Sequence, residues 1–431
     1  MLRSFRLGNH RSFREEQELL LMPGTGQQRG ALPVTAVYGA NASGKSNLLD
    51  GLRFMRSAVR DSFSDWDALD GVPRTRFRLA PDSALVPSVF VAEFVTGGEA
   101  YTYGFAVDDE RVLEEWLYAY PKKKTRVVFE REGGEVKFGS TLAEPRAKLD
   151  VLEDMTRSNA LLLSVAVQSN IEFATPVYRF FSQELVFAHQ RRSVSSSVRY
   201  VARDDETRRK VVDLLRAADL GITDVVAEEV EDPTWRRRAE QAERELKRAE
   251  EAGSQADVVR WRERYALIRD RVGATVHRIK LVHGDPDEPF DVEDESQGTQ
   301  SWLRLIPTAL TVLDQGSVLL VDEIDSSLHP LLTARLIGLF RDERTNPHAA
   351  QLLFTTHDTS LLGTMLDDEV LHRDEVWFVR KAEDGASELY PLSDFKPRKG
   401  ENTERRYLRG SYGAVPELDH ADFVAAVGSR R

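Results

Sequence analysis

The stretch Leu32-Pro33-Val34-Thr35-Ala36-Val37-Tyr38-Gly39-Ala40-Asn41-Ala42-Ser43-Gly44-Lys45-Ser46-Asn47 decides the fold. Its first seven residues are largely apolar, and Gly39 follows at once, which predicts a buried strand running into a turn. After Lys45 the apolar residues Leu48, Leu49, Leu52 and Met55 fall at helical spacing, with Arg53 and Arg56 between them. Strand, glycine loop and helix thus come in the order an anion cradle needs. Gly39 and Gly44 let backbone N–H groups close around phosphate oxygens, and the helix points its positive end at the same anion. In the pattern Gly-x4-Gly-Lys-Ser, Lys45 is expected on the β- and γ-phosphates of a nucleotide and the Ser46 hydroxyl on Mg²⁺. The candidate nucleotide-binding residues are Gly39, Ala40, Asn41, Ala42, Ser43, Gly44, Lys45, Ser46 and Asn47; a plain glycine turn is the competing reading.

A second half answers the first. Val318-Leu319-Leu320-Val321-Asp322-Glu323 reads as a buried strand that leaves two carboxylates at its C-terminal end, where ligands of open α/β sheets sit. Asp322 is expected to hold Mg²⁺ through water, and Glu323 to orient or deprotonate an attacking water. Gln351 to Thr356 reads as another buried strand, with His357 at its end beside the expected γ-phosphate. Glu295-Ser296-Gln297-Gly298-Thr299-Gln300 opens a helix and offers hydroxyl and backbone donors to an anion. Standing alone, it would read as an ordinary helix cap.

Between these halves lie Val89–Val95 and Tyr101–Val107, separated by Gly97-Gly98, a hairpin signature followed by strands near 111–120 and 126–131. Helical sequence is expected from about 150 to 220. Residues 234–272 are charged, rich in helix formers and interrupted at Gly253-Ser254, which predicts a helical hairpin. The chain has 431 residues, a net charge of −12 and no cysteine, so disulfides and thiolate chemistry are excluded. Such charge disfavours a surface that coats nucleic acid throughout; Lys122 to Lys124, Arg191-Arg192 and Arg236 to Arg238 are local basic candidates. The sequence holds no run of about 20 apolar residues and its start has no apolar leader, so the cytoplasm is the expected location.

In their order these motifs resemble the ATP-binding-cassette ATPase head of SMC and RecF proteins. More closely, Gly-Ala-Asn-Ala-Ser-Gly-Lys-Ser-Asn, Glu-Ser-x-Gly-Thr-Gln, Asp-Glu-Ile-Asp-Ser-Ser-Leu-His-Pro and the tail Tyr407 to Pro416 look like bacterial AAA/ABC-type ATPases of abortive-infection and phage-defence loci. The resemblance implies an α/β P-loop NTPase, an ABC-ATPase head with an inserted antiparallel β meander and a helical hairpin. It implies ATP hydrolysis with Mg²⁺, Lys45, Glu323 and His357 as the catalytic set, and a homodimer closed around ATP. Ser296 and Gly298 would act in trans as the signature, Asp325 to Pro330 as the loop between sites, and His357 as the switch histidine. Partners implied are an effector nuclease or toxin, with nucleic acid as a further candidate and no membrane. The family's glutamine loop is not clear here; Gln168 is the candidate Mg²⁺ ligand, against a plain helix-surface residue. The expected layout is a single domain over 1–431. Its core spans 1–60 and 276–392, the meander 85–140, the helical region 150–275 and a C-terminal subregion 393–431. A transporter ATPase subunit, a small-molecule phosphotransferase and a non-hydrolysing scaffold compete. The first is disfavoured by the roughly 250 residues between Lys45 and Ser296, the second by the signature.

Overall fold

Continuous apolar runs bury on both faces, and three of them make the centre of the computed structural model. It describes residues 1–23, 30–121, 124–188, 201, 204–231, 233–269, 275–284, 288–366, 369–396, 401–416 and 419–428. The chain divides into two compact units, Met1–His189 with Ala309–Arg431, and Gln190–Thr308. The expectation of one domain thus meets a chain grouped in two, and residues 276–308 of the expected core fall in the second unit.

In the first unit, β1 (Leu2–Gly8), β2 (Gln17–Leu20), β3 (Val34–Tyr38) and α1 (Lys45–Asp61) come first. They are followed by β4 (Ser88–Thr96), β5 (Glu99–Val107), β6 (Val112–Ala119), β7 (Arg126–Glu132) and β8 (Glu135–Phe138). These meander strands pair antiparallel and join the N-terminal hairpin in a seven-stranded sheet of order β2-β1-β4-β5-β6-β7-β8. Three helices follow: α2 (Arg146–Met155), α3 (Leu162–Gln168) and α4 (Ala174–Arg179). A buried carboxylate ties the meander to α3. Glu115 accepts from the Leu162 and Leu163 amides at 2.6 and 3.0 Å and from the Tyr103 hydroxyl at 2.9 Å. Burial pushes its carboxyl pKa up, while Arg131 at 3.6 Å opposes that.

The expected run of helices to 220 is broken by β9 (Leu185–Ala188), which pairs in parallel with β13 of the core sheet, Val318–Val321. A four-residue apolar run has no periodicity to separate strand from buried helix, and here the pairing of Val318 with Leu185 decides it.

The second unit holds α5 (Asp205–Ala217), β10 (Asp224–Glu231), α6 (Pro233–Glu251), α7 (Gln255–Arg269), β11 (Thr275–Val282) and β12 (Phe290–Asp291). The hairpin of α6 and α7 turns where Gly253 takes φ +68°, a conformation that glycine adopts without steric cost. Its ends continue into β10 and β11, which pair antiparallel from Asp224–Val282 to Glu231–Thr275. Helix α8 (Gln297–Gln315) begins in this unit.

The first unit then closes with β13 (Val318–Val321), α9 (Pro330–Arg341), β14 (Gln351–Thr355), β15 (Val376–Lys381), β16 (Ser387–Pro391), α10 (Thr403–Leu408) and α11 (His420–Gly428). The core sheet has the order β16-β15-β3-β14-β13-β9, parallel except at the β16 edge. Every residue of β3, β13 and β14 is buried, as a parallel sheet covered on both faces requires. Fully burying one such Leu or Val side chain contributes about 1.5–3 kcal/mol. Because β14 lies between β3 and β13, the C-terminal ends of three neighbouring strands open at one place.

Candidate nucleotide site

At that place the phosphate loop follows β3. Gly44 holds φ +116° and Ala42 φ +61°, so the loop coils back on itself before α1 begins at Lys45. A Cβ on Gly44 would strike the Ser387 and Ser12 hydroxyls, and one on Gly39 would strike the Val379 carbonyl. The loop is braced from below by side chains distant in sequence. Ser387 donates to the Ser43 carbonyl at 2.5 Å, the Ser387 and Ser12 hydroxyls are bonded at 2.7 Å, and Asn47 donates to Ser12 at 2.7 Å.

Lys45 is buried and its Nζ donates to the Gly39 and Ala40 carbonyls at 2.9 and 3.1 Å. Burial lowers its pKa, and the carboxylates of Glu323, Asp322 and Asp325 pull it back up. The ammonium therefore waits on backbone carbonyls, inside the cradle that a phosphate would share.

The residues after β13 meet this loop. Ser46 donates to Asp322 Oδ1 at 3.0 Å, and Thr355, at the end of β14, donates to the same oxygen at 2.6 Å. The Thr355 hydroxyl in turn accepts from the Glu323 amide at 2.7 Å, in a turn where Glu323 has φ +51°. Glu323 is exposed there. A hydroxyl and a carboxylate held together are hard oxygen donors of the kind Mg²⁺ takes alongside phosphate and water, so the residues present fit that ion.

His357 follows β14, and its amide donates to both Asp325 oxygens at 3.3 and 3.2 Å. Partial enclosure and then the Lys45 ammonium lower the imidazole pKa, against Asp325, Glu323 and Asp322. Both causes favour the neutral imidazole. His329 accepts from the Leu331 amide at 3.2 Å as the cap of α9.

An open cleft of about 500 Å³ collects these groups: Ser12, Asn41 to Asn47, Glu323, His357 and Lys381 line it. Asp322 sits beside it through Ser46. Gln168 is not among the lining residues; it is exposed at the C-terminal end of α3. Ser296 and Gly298 belong to the second unit. There the Ser296 hydroxyl accepts from the Thr299 amide at 3.1 Å and bonds the Thr299 hydroxyl at 2.9 Å, capping α8. His283 bonds Glu295 at 2.6 Å, and Gln300 donates to the Glu295 carbonyl at 3.0 Å.

Sequence reading missed Ser12, Thr355, Ser387 and Lys381. Near the loop, His10 and Arg11 both bond Asp50 of α1, and His10 is buried beside Phe54 and Phe90. Residue types held no signal for Ser387, which reaches Ser12 across 375 positions. The C-terminal motif also has a place. Tyr407 packs edge-on against Tyr38 at 5.7 Å and stacks on Phe378 at 5.6 Å, while Tyr38 donates to the Asp358 carbonyl at 3.0 Å. Burial pushes the Tyr407 phenol up to about 12, and a hydrogen bond from the Gly39 backbone opposes this. Of the basic candidates, Lys122, Lys123, Arg191 and Arg192 lie outside the described residues.

No curated protein matches the chain significantly. Among solved structures, the chain is similar to an SMC head bound to the C-winged helix domain of ScpA. The TM-score is 0.43 at 12% identity, covering 92% of this chain and 99% of that one. Residues 34–363 match a family model described as "AAA domain, putative AbiEii toxin, Type IV TA system". That span runs from the first residue of β3, through the phosphate loop and the two carboxylates, to past His357, and with it the chain belongs to this AAA-domain family of P-loop NTPases.

Proposed function

We propose that the protein binds ATP in this cleft and hydrolyses it, and that two copies close around the nucleotide. The observation that carries the reading is the convergence of Lys45, Ser46 with Asp322, Glu323 and His357 at the ends of three adjacent parallel strands. Lys45 would leave the Gly39 and Ala40 carbonyls for the β- and γ-phosphates. Glu323 would take a proton from the attacking water as the bond between the γ-phosphorus and the bridging oxygen breaks, giving ADP and phosphate. Neutral His357 would hydrogen-bond the γ-phosphate. Mg²⁺, held by Ser46 and Asp322, would neutralise phosphate charge.

Ser296 and the N-terminus of α8, with Gly298 in its first turn, would cap the nucleotide of the opposite subunit. The toxin–antitoxin wording of the family description supports a role in controlling an effector nuclease or toxin in phage defence; the cytoplasm is the location this reading expects. Among the described residues no helix is long and apolar enough to cross a membrane. The test is ATPase activity and light scattering of the wild type and Glu323→Gln, each with and without MgATP. Turnover in the wild type and an ATP-stabilised dimer in the variant are expected. A wild type that binds no ATP, or a variant that turns over at the parent rate, would overturn the reading.

A further inference from the structure

The cleft contains a second lysine that the phosphate-loop motif does not include. Lys381 is the last residue of β15, two positions beyond Val379, whose carbonyl leaves no room for a Cβ at Gly39. It lines the same cleft as Lys45, Ser46, Glu323 and His357. Its backbone is fixed from the other side, since Lys381 pairs across the sheet with Ser387, the residue whose hydroxyl holds Ser43 and Ser12. The side chain is exposed, and among the described residues no hydrogen bond or ion pair engages its ammonium.

Charge balance gives that free cation a use. Three carboxylates, Glu323, Asp322 and Asp325, act on Lys45, and a nucleoside triphosphate brings several more negative charges into the cleft. Even with Mg²⁺ bound, Lys45 does not balance three carboxylates and a triphosphate, and His357 is held towards its neutral form. We propose that Lys381 is a second phosphate-binding lysine of the cleft, which meets the phosphate chain of the nucleotide alongside Lys45. This rests on the reading of the cleft as an ATP site. An exposed ammonium is screened by salt more than a buried one, so its share of the affinity falls as ionic strength rises.

The test measures binding of a fluorescent (mant) ATP by the full chain and its displacement by inorganic triphosphate. Lys381→Ala is expected to weaken both about tenfold at low salt and less at high salt. Lys381→Arg should restore most of the loss. In turnover, Lys381→Ala should raise KM while kcat at saturating ATP stays within about twofold, the signature of a contact made equally before and at the transition state. Wild-type affinity in Lys381→Ala would overturn the proposal, as would weaker mant-ATP binding with unchanged triphosphate displacement, which would move Lys381 to the base or sugar. If Lys45→Ala also binds mant-ATP like the wild type, the cleft itself is not the nucleotide site.

Discussion

Two loops in this molecule carry a serine and a glycine at the start of a helix, and they are built in opposite ways. The phosphate loop before α1 is held from outside: Ser387, Ser12, Val379 and Tyr407 all reach it from far along the chain. The loop before α8 is held by itself. Ser296 bonds Thr299 three residues on, Gln300 bonds Glu295, and His283 comes from the adjoining β11. The first is therefore a product of the completed sheet, strained only at Ala42, where a residue with a Cβ holds φ +61°. The second is a local cap that leaves Ser296 exposed and ready for something else to cover it.

The difference predicts that substitutions in the two loops fail differently. At the first cleft, Glu323→Gln should keep MgATP binding and lose turnover by about a thousandfold, within the range general bases contribute. Equilibrium binding and steady-state hydrolysis on one preparation separate the two quantities. Hydrolysis at the parent rate would show that Glu323 is not the base.

Next in size is stability. Gly44→Ala forces a side chain into φ +116° against Ser387 and Ser12, and should lower folding stability by roughly 2 kcal/mol or more together with loss of ATP binding. Ser296→Ala removes one helix cap, for about 1 kcal/mol, and should leave ATP binding by its own subunit intact. Urea unfolding of both variants would measure this. Equal losses would erase the contrast between an externally braced loop and a self-capped one.

The same contrast explains what could be read in advance. Strands β3, β13 and β14 were legible because unbroken apolar runs have few other uses, and the phosphate loop because its spacing is set by a phosphate. The run Leu185 to Ala188 was not, since its partner lies 133 positions away at Val318. Nor were β10 and β11, whose alternating charges look like a continuation of the helical arm until Asp224 is seen opposite Val282. The brace of Ser12, Asn47 and Ser387 was invisible because small polar residues acquire a role only from what the fold sets beside them.

Mixing subunits sharpens the comparison further. A Ser296→Arg chain would spoil only its partner's site, and a Lys45→Ala chain only its own. Their mixture should therefore contain heterodimers with one site carrying both lesions and one carrying neither. Random pairing gives about a quarter of wild-type activity, where each variant alone gives none. Light scattering establishes that heterodimers form; heterodimers without activity would remove the trans role of Ser296 or the independence of the two sites.

The smallest effect tests whether the first cleft is one electrostatic unit. The His357 pKa lies below the ordinary value of 6.5, because enclosure disfavours the imidazolium and the Lys45 ammonium repels it. Both causes act against protonation, so the acid limb of the ATPase profile from this histidine should fall below pH 6.5, with activity retained at neutral pH. Replacing Lys45 by Met removes one of the two causes, and the carboxylates of Asp325, Glu323 and Asp322 then act unopposed by it. The titration of the His357 ring, followed by NMR, should move upward in Lys45→Met. No movement would mean that Lys45 and His357 do not share a field, and the convergence of three strand ends on one phosphate would lose its electrostatic support.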